Sequence, residues 1–98
     1  SDLNTDKLFV KLLARNERHI RSFVRSTGMD WNATEEISQS VALIMWKKWK
    51  QFEVGSDFMK WARSIARFEI LKYRRGVSRD RLVFNEELIE LLANSSEA

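Results

Sequence analysis

The stretch Ala33-Thr34-Glu35-Glu36-Ile37-Ser38-Gln39-Ser40-Val41-Ala42-Leu43-Ile44-Met45-Trp46-Lys47-Lys48-Trp49-Lys50-Gln51-Phe52 decides the fold. Ile37, Val41, Ile44, Met45, Trp49 and Phe52 recur at three- and four-residue spacing, the period of a helix with one buried side. Asn32 followed by Glu35 suggests a capping-box-like start. Leu43 and Trp46 fall off the apolar stripe, and Gln39 lies beside them at helical spacing. A ring and a leucine left outside the seam need some partner other than the core.

Two more segments of the same kind flank this one. Over residues 6–27, Phe9, Leu12, Leu13, Ile20, Phe23 and Val24 form a stripe, with Asn4 or Thr5 as its expected cap and Gly28 as its stop. The polar run Arg15-Asn16-Glu17-Arg18 suggests a break in it. Over residues 57–75, Phe58, Trp61, Ala62, Ile65 and Ala66 form a seam, with Ser56 as cap and Gly76 as stop. A shorter apolar pattern over residues 85–93 suggests a fourth helix, and residues 94–98 read as a frayed tail. Short connections between long amphipathic helices predict an all-α fold: a small helical bundle of three long helices plus a short C-terminal linker helix.

Composition agrees and narrows the function. The chain has 98 residues, 44% of them apolar, which is enough for one core and too many for global disorder. It has no cysteine and no proline, and its one histidine is His19. Disulfides, thiolate metal sites and histidine clusters are therefore excluded, and no cofactor is implied. The longest apolar run, Val41–Trp46, is too short to span a bilayer, and no signal-peptide pattern opens the sequence. A cytoplasmic domain with no membrane partner is the expectation. Catalysis finds no support. His19 sits among arginines and there is no thiol, Glu35 and Glu36 diverge on a helix, and the three glycines form no phosphate loop.

Charge points to a polyanion. Residues 1–43 are neutral on balance, residues 44–81 carry a net +7 and residues 82–98 a net −4. On charge alone, a solvated helix face explains this as well as a binding partner does. The interleaving adds to it. Between Trp46 and Arg75, nine lysines and arginines alternate with Trp46, Trp49, Phe52, Phe58, Trp61, Phe68 and Tyr73. Cations neutralise phosphates, and aromatic faces stack on unpaired bases. Phe52, Phe58 and Trp61 also fit the apolar seams, so a core role competes for them. Lys60, Arg63, Arg67, Arg74 and Arg75 lie off the seam, with Arg63 and Arg67 on one face.

Ala33-Thr34-Glu35-Glu36-Ile37-Ser38-Gln39-Ser40-Val41, then Trp46, then Trp61-Ala62-Arg63-Ser64-Ile65-Ala66-Arg67, then Tyr73 and Arg75, resembles region 2 of bacterial RNA polymerase sigma factors. The extracytoplasmic-function (ECF) group is the nearest in pattern. The resemblance covers roughly residues 7–76 and implies a region 2 domain over 1–76. Residues 77–98 would then be a linker toward a second DNA-binding domain, so that these residues are one part of a longer factor. It further implies that Glu36, Gln39, Ser40, Leu43 and Trp46 dock on the clamp helices of the polymerase beta-prime subunit. Phe52, Ser56, Phe58, Lys60, Trp61, Arg63, Arg67, Arg74 and Arg75 would bind promoter DNA. There they would capture the non-template strand of the minus-ten element, with a base flipped into a pocket at the loop. The resemblance also admits an anti-sigma factor as partner.

Three positions depart from the family pattern. Phe68 stands where the family has Asn, Lys72 where it has Asp, and Ser40 where it has Glu. Phe68 lacks the amide's hydrogen bonds, which implies a different promoter preference. Two other readings compete: a helical protein-interaction module with an incidental basic face, and a duplex-binding helix-turn-helix repressor.

Overall fold

The computed structural model describes residues 3–80, with side chains described up to residue 76. Three helices account for most of them: α1 (Leu3–Ser26), α2 (Trp31–Lys47) and α3 (Phe58–Asp80), with one 3-10 turn at Trp49–Gln51. The all-α bundle holds among the described residues. The proposed fourth helix over 85–93 lies outside them.

α1 is continuous through Arg15–Arg18, where a break was expected. Arg15, Glu17 and Arg18 project into solvent, and Asn16 Nδ2 donates to the Leu12 carbonyl at 2.8 Å. The seam therefore passes beneath the polar run, through Phe9, Leu12, Leu13, Ile20 and Val24. Asn4 and Thr5 lie inside α1 instead of capping it, and the Thr5 carbonyl accepts a hydrogen bond from Trp49 Nε1 at 3.0 Å.

The other expected caps shift as well. Asp30, two residues before Asn32, accepts from the Ala33 amide at 2.8 Å. Its charge sits at the positive end of α2, which favours it over a neutral amide. With Asp30 as the cap, the third helical residue is Ala33, so Glu35 is two residues too far along for a capping box and pairs with Arg21 instead. At α3, Asp57 Oδ1 accepts from the Lys60 amide at 3.0 Å, while Ser56 donates its hydroxyl to the Glu53 carbonyl. α2 ends five residues before the expected Phe52. There the chain turns so that Trp49 and Phe52 enter the core. α3 runs past Gly76, the expected stop, to Asp80.

α1 and α2 run antiparallel, with Phe9 against Trp46 at one end and Arg21 against Glu35 at the other. α1 and α3 run parallel, from the Phe9–Phe58 contact to the bond from Arg74 Nη2 to the Thr27 carbonyl at 2.8 Å. The core between them is built from Phe9, Ile20, Val24, Ile37, Val41, Met45, Phe58, Ala62, Ala66 and Ile70. Alanines at 62 and 66 let α3 approach closely, as small residues at a helix crossing do.

Candidate functional site

The end of the bundle that holds the α2–α3 connection is built on six aromatic rings. Phe9 touches Trp46, Trp49 and Phe58, with centroids 5.4, 5.1 and 6.4 Å apart. Phe52 stacks between Trp49 at 5.4 Å and Trp61 at 4.6 Å. Such pairs add about 0.5–1.5 kcal/mol each beyond the area they bury. The loop after α2 is therefore anchored at both ends by rings. Between them Glu53–Ser56 forms a turn closed by the Ser56 amide on the Glu53 carbonyl at 3.0 Å, with Gly55 at φ +98°.

This placement sorts the candidate DNA-binding residues. Phe52 and Phe58 are buried and Trp61 is half-buried, so these rings shape the loop from beneath. Ser56 is exposed at the turn, and Lys60, Arg67 and Arg75 are exposed along α3. Arg63 is half-buried and faces α1, on the same flank as Arg67. Arg74 is tied to the end of α1 through the Thr27 carbonyl, so it braces that corner.

α1 supplies the other wall. Asn16, His19, Ser22 and Phe23 face Met59 and Arg63 across an open groove of about 530 Å³. The Arg67 guanidinium lies 5.5 Å from the centroid of the Phe23 ring and extends this wall. The groove is thus lined by the apolar Phe23 and Met59, by Asn16, His19 and Ser22, and by the cation Arg63, with Arg67 beside it over Phe23. The sequence pattern points to the middle of the chain for the basic surface and does not bring α1 to it. Trp31 is exposed at the start of α2, with the Arg25 guanidinium 4.0 Å above its ring.

A second surface lies on α2. Leu43 is 61% exposed and Trp46 48% exposed, although Trp46 rests one edge on Phe9. Gln39 is exposed beside them, while exposed Glu36 and half-buried Ser40 lie at the edge of this surface that faces α3, across a groove from Glu69, Lys72 and Tyr73. At the far end of the α1–α2 seam, Arg21 Nε donates to Glu35 Oε2 at 2.6 Å and also meets Glu17 at 3.3 Å. The bond from Arg21 holds the Glu35 carboxyl below its ordinary value, and Glu35 in turn raises the Arg21 guanidinium.

Residues 12–80 match the family model for Sigma-70 region 2, which spans most of α1 and all of α2 and α3. The chain belongs to the sigma-70 region 2 family. A region 2 domain is a transcription-initiation factor domain and not an enzyme; the family binds RNA polymerase core and recognises the minus-ten promoter element. No curated protein and no solved structure matches the chain. Among the described residues, no helix is long and apolar enough to cross a membrane, and no group of three or more carboxylates and histidines could hold a metal ion.

Proposed function

We propose that this region 2 domain is of the ECF group and uses two separate seams for two partners. The α2 outer side, with Glu36, Gln39, Ser40, Leu43 and Trp46, docks on the clamp helices of the polymerase beta-prime subunit. The α1–α3 groove, with Arg63 and Arg67 and flanked by Lys60 and Arg75, receives the non-template strand of the minus-ten element. Phe52, Phe58 and Trp61 set the shape of the loop, and Ser56 at the exposed turn meets the strand directly.

The observation that carries this reading is the placement of Arg63 and Arg67 on one flank beside the apolar Phe23 and Met59, while Trp46 is left half-exposed on another seam. Arginines neutralise backbone phosphates, and apolar side chains accept a base only once it has left the stack. Unstacking costs a few kcal/mol, which stacking and pocket contacts of about 1–3 kcal/mol per base offset. A large ring surrounded by polar groups is the usual make-up of a protein-interface hot spot.

The test is binding of the domain to a beta-prime clamp-helix fragment, unmutated and as Trp46→Ala and Gln39→Ala. A second arm compares minus-ten single-stranded oligonucleotides with duplex across a salt series. Clamp binding lost in the variants, with a preference for the non-template single strand, supports the reading. No clamp binding by the unmutated domain favours a general interaction module. Tight sequence-specific duplex binding favours a repressor.

A further inference from the structure

The outer face of α3, turned away from both other helices, is apolar as well as cationic. Phe68 is 69% exposed and Leu71 47% exposed, and toward the start of the helix the strip ends at Trp61 and Ile65, which are half-buried against the core. Spacings of three and four place these side chains along one side of a helix. Lys60, Arg67, Lys72 and Arg75 border the strip; Lys72 meets Glu69 at 3.5 Å, and the other three meet no carboxylate among the described residues. Phosphates satisfy cations but have no use for Leu71, which lacks a π face. An apolar strip bordered by unpaired cations matches a segment that is apolar and acidic together.

The chain carries such a segment just beyond the described part of α3. Residues 85–92 read Asn-Glu-Glu-Leu-Ile-Glu-Leu-Leu, and residues 82–98 contain four glutamates and no cation. Helical spacing groups Leu88, Leu91 and Leu92 on one side with Glu87 and Glu90 toward the other. The reach is sufficient. From Asp80 back to Phe68 along α3 is about 18 Å at about 1.5 Å per residue. Four connecting residues extend up to about 14 Å, and eight more in a helix add about 12 Å.

We propose that residues 85–92 dock antiparallel on the outer face of α3. Leu88, Leu91 and Leu92 cover Phe68 and Leu71, and the glutamates meet Arg67 and Arg75. The segment then occupies cations that the promoter strand would use, so the chain holds its own competitor for nucleic acid. That consequence rests on the strand-binding reading above; the docking itself does not.

Docking is therefore measured without DNA. The chain has no cysteine, so Asn94→Cys gives a single site for a nitroxide spin label on the whole 98-residue chain. The expected result is that backbone amides of residues 64–75 lose most of their NMR intensity, while those of residues 36–43 on α2 keep theirs. Combining the label with Phe68→Ser, or with Glu86→Gln, Glu87→Gln and Glu90→Gln together, restores the lost intensity. Phe68 is exposed, so its replacement leaves the core intact. Broadening confined to residues beyond 76, or broadening indifferent to both sets of substitutions, overturns the proposal. So does broadening that persists when spin-labelled and isotope-labelled chains are separate molecules, because the occupant is then a second copy.

Discussion

The guanidinium of Arg67 lies over the ring of Phe23, 5.5 Å from its centroid, and so ties α3 to α1 along the groove wall. A planar cation resting on a ring is oriented before any ligand arrives, and a lysine in its place would not be. Arg67→Ala should remove one phosphate contact, lowering the slope of log affinity against log salt by about 0.7 for single-stranded DNA. Arg67→Lys should keep that slope and still bind more weakly. Fluorescence anisotropy across a salt series reads both. An unchanged slope in Arg67→Ala would remove this residue from the strand-binding surface.

Trp46 has one edge on Phe9 and nearly half its surface in solvent. Its two roles are separable by magnitude. Trp46→Ala should cost about 2 kcal/mol or more in affinity for the clamp-helix fragment, as hot-spot truncations do. The domain itself should lose about 1 kcal/mol, from a single ring contact. Leu43→Ala should weaken the same complex with little change in the melting temperature, because Leu43 is outside the core. Calorimetric titration and thermal melts decide it; equal losses in both measurements for Trp46→Ala would mean the ring is only structural.

Among the described residues, two hydroxyls are buried in the bundle without a hydrogen-bond partner, Thr34 Oγ1 and Ser38 Oγ. Thr34 is completely buried. An orphaned buried donor costs about 1–3 kcal/mol, and valine has nearly the same shape as threonine. Thr34→Val should therefore raise stability by about 1 kcal/mol, which is about 4–8 °C in melting temperature for a domain of this size. A lower melting temperature in the valine variant would show that the hydroxyl is satisfied in solution.

The Arg21–Glu35 pair gives a pH signature of known sign. The bond from Arg21 sets the Glu35 carboxyl below its ordinary 4.5 in the folded domain. The stabilisation is therefore complete above that value and disappears as pH falls through the lower folded value. Glu35 is exposed, so the effect is modest and shrinks with added salt. Melting curves of the parent and Glu35→Gln should differ at neutral pH and converge in acid. A constant gap across the acid limb would assign the difference to something other than ionisation.

The helices were legible because their stripes are strong. Residues 9 to 24, 37 to 45 and 58 to 66 repeat at helical spacing, and tertiary packing did not overrule them. The caps were less legible. Asp30 and Asn32, or Ser56 and Asp57, lie too close together for composition to choose between them, and charge at the helix end decided for aspartate each time. The site was legible in part. Arg63 and Arg67 share a face because they are four apart, and any helix shows that. The groove was not legible, since His19 and Phe23 meet Met59 and Arg63 only after folding. Phe52 and Phe58 fit both a core and a stacking platform, and only packing against Trp49 and Trp61 settles where they point.

Gly28 and Gly76 look alike in the sequence, each following an amphipathic segment, yet their backbones differ. Gly28 has φ +95°, with its amide on the Arg25 carbonyl at 2.9 Å, and ends α1. Gly76 has no positive φ and lies within α3. A Cβ at either position meets nothing within 4 Å, so backbone conformation alone separates them. Gly28→Ala forces an L-residue into the left-handed region and should cost about 1–2 kcal/mol. Gly76→Ala removes unfolded-chain freedom from a helical position and should gain about 0.5–1 kcal/mol. Thermal melts followed by circular dichroism give both signs, and a loss in Gly76→Ala would mean that α3 ends at residue 76 after all.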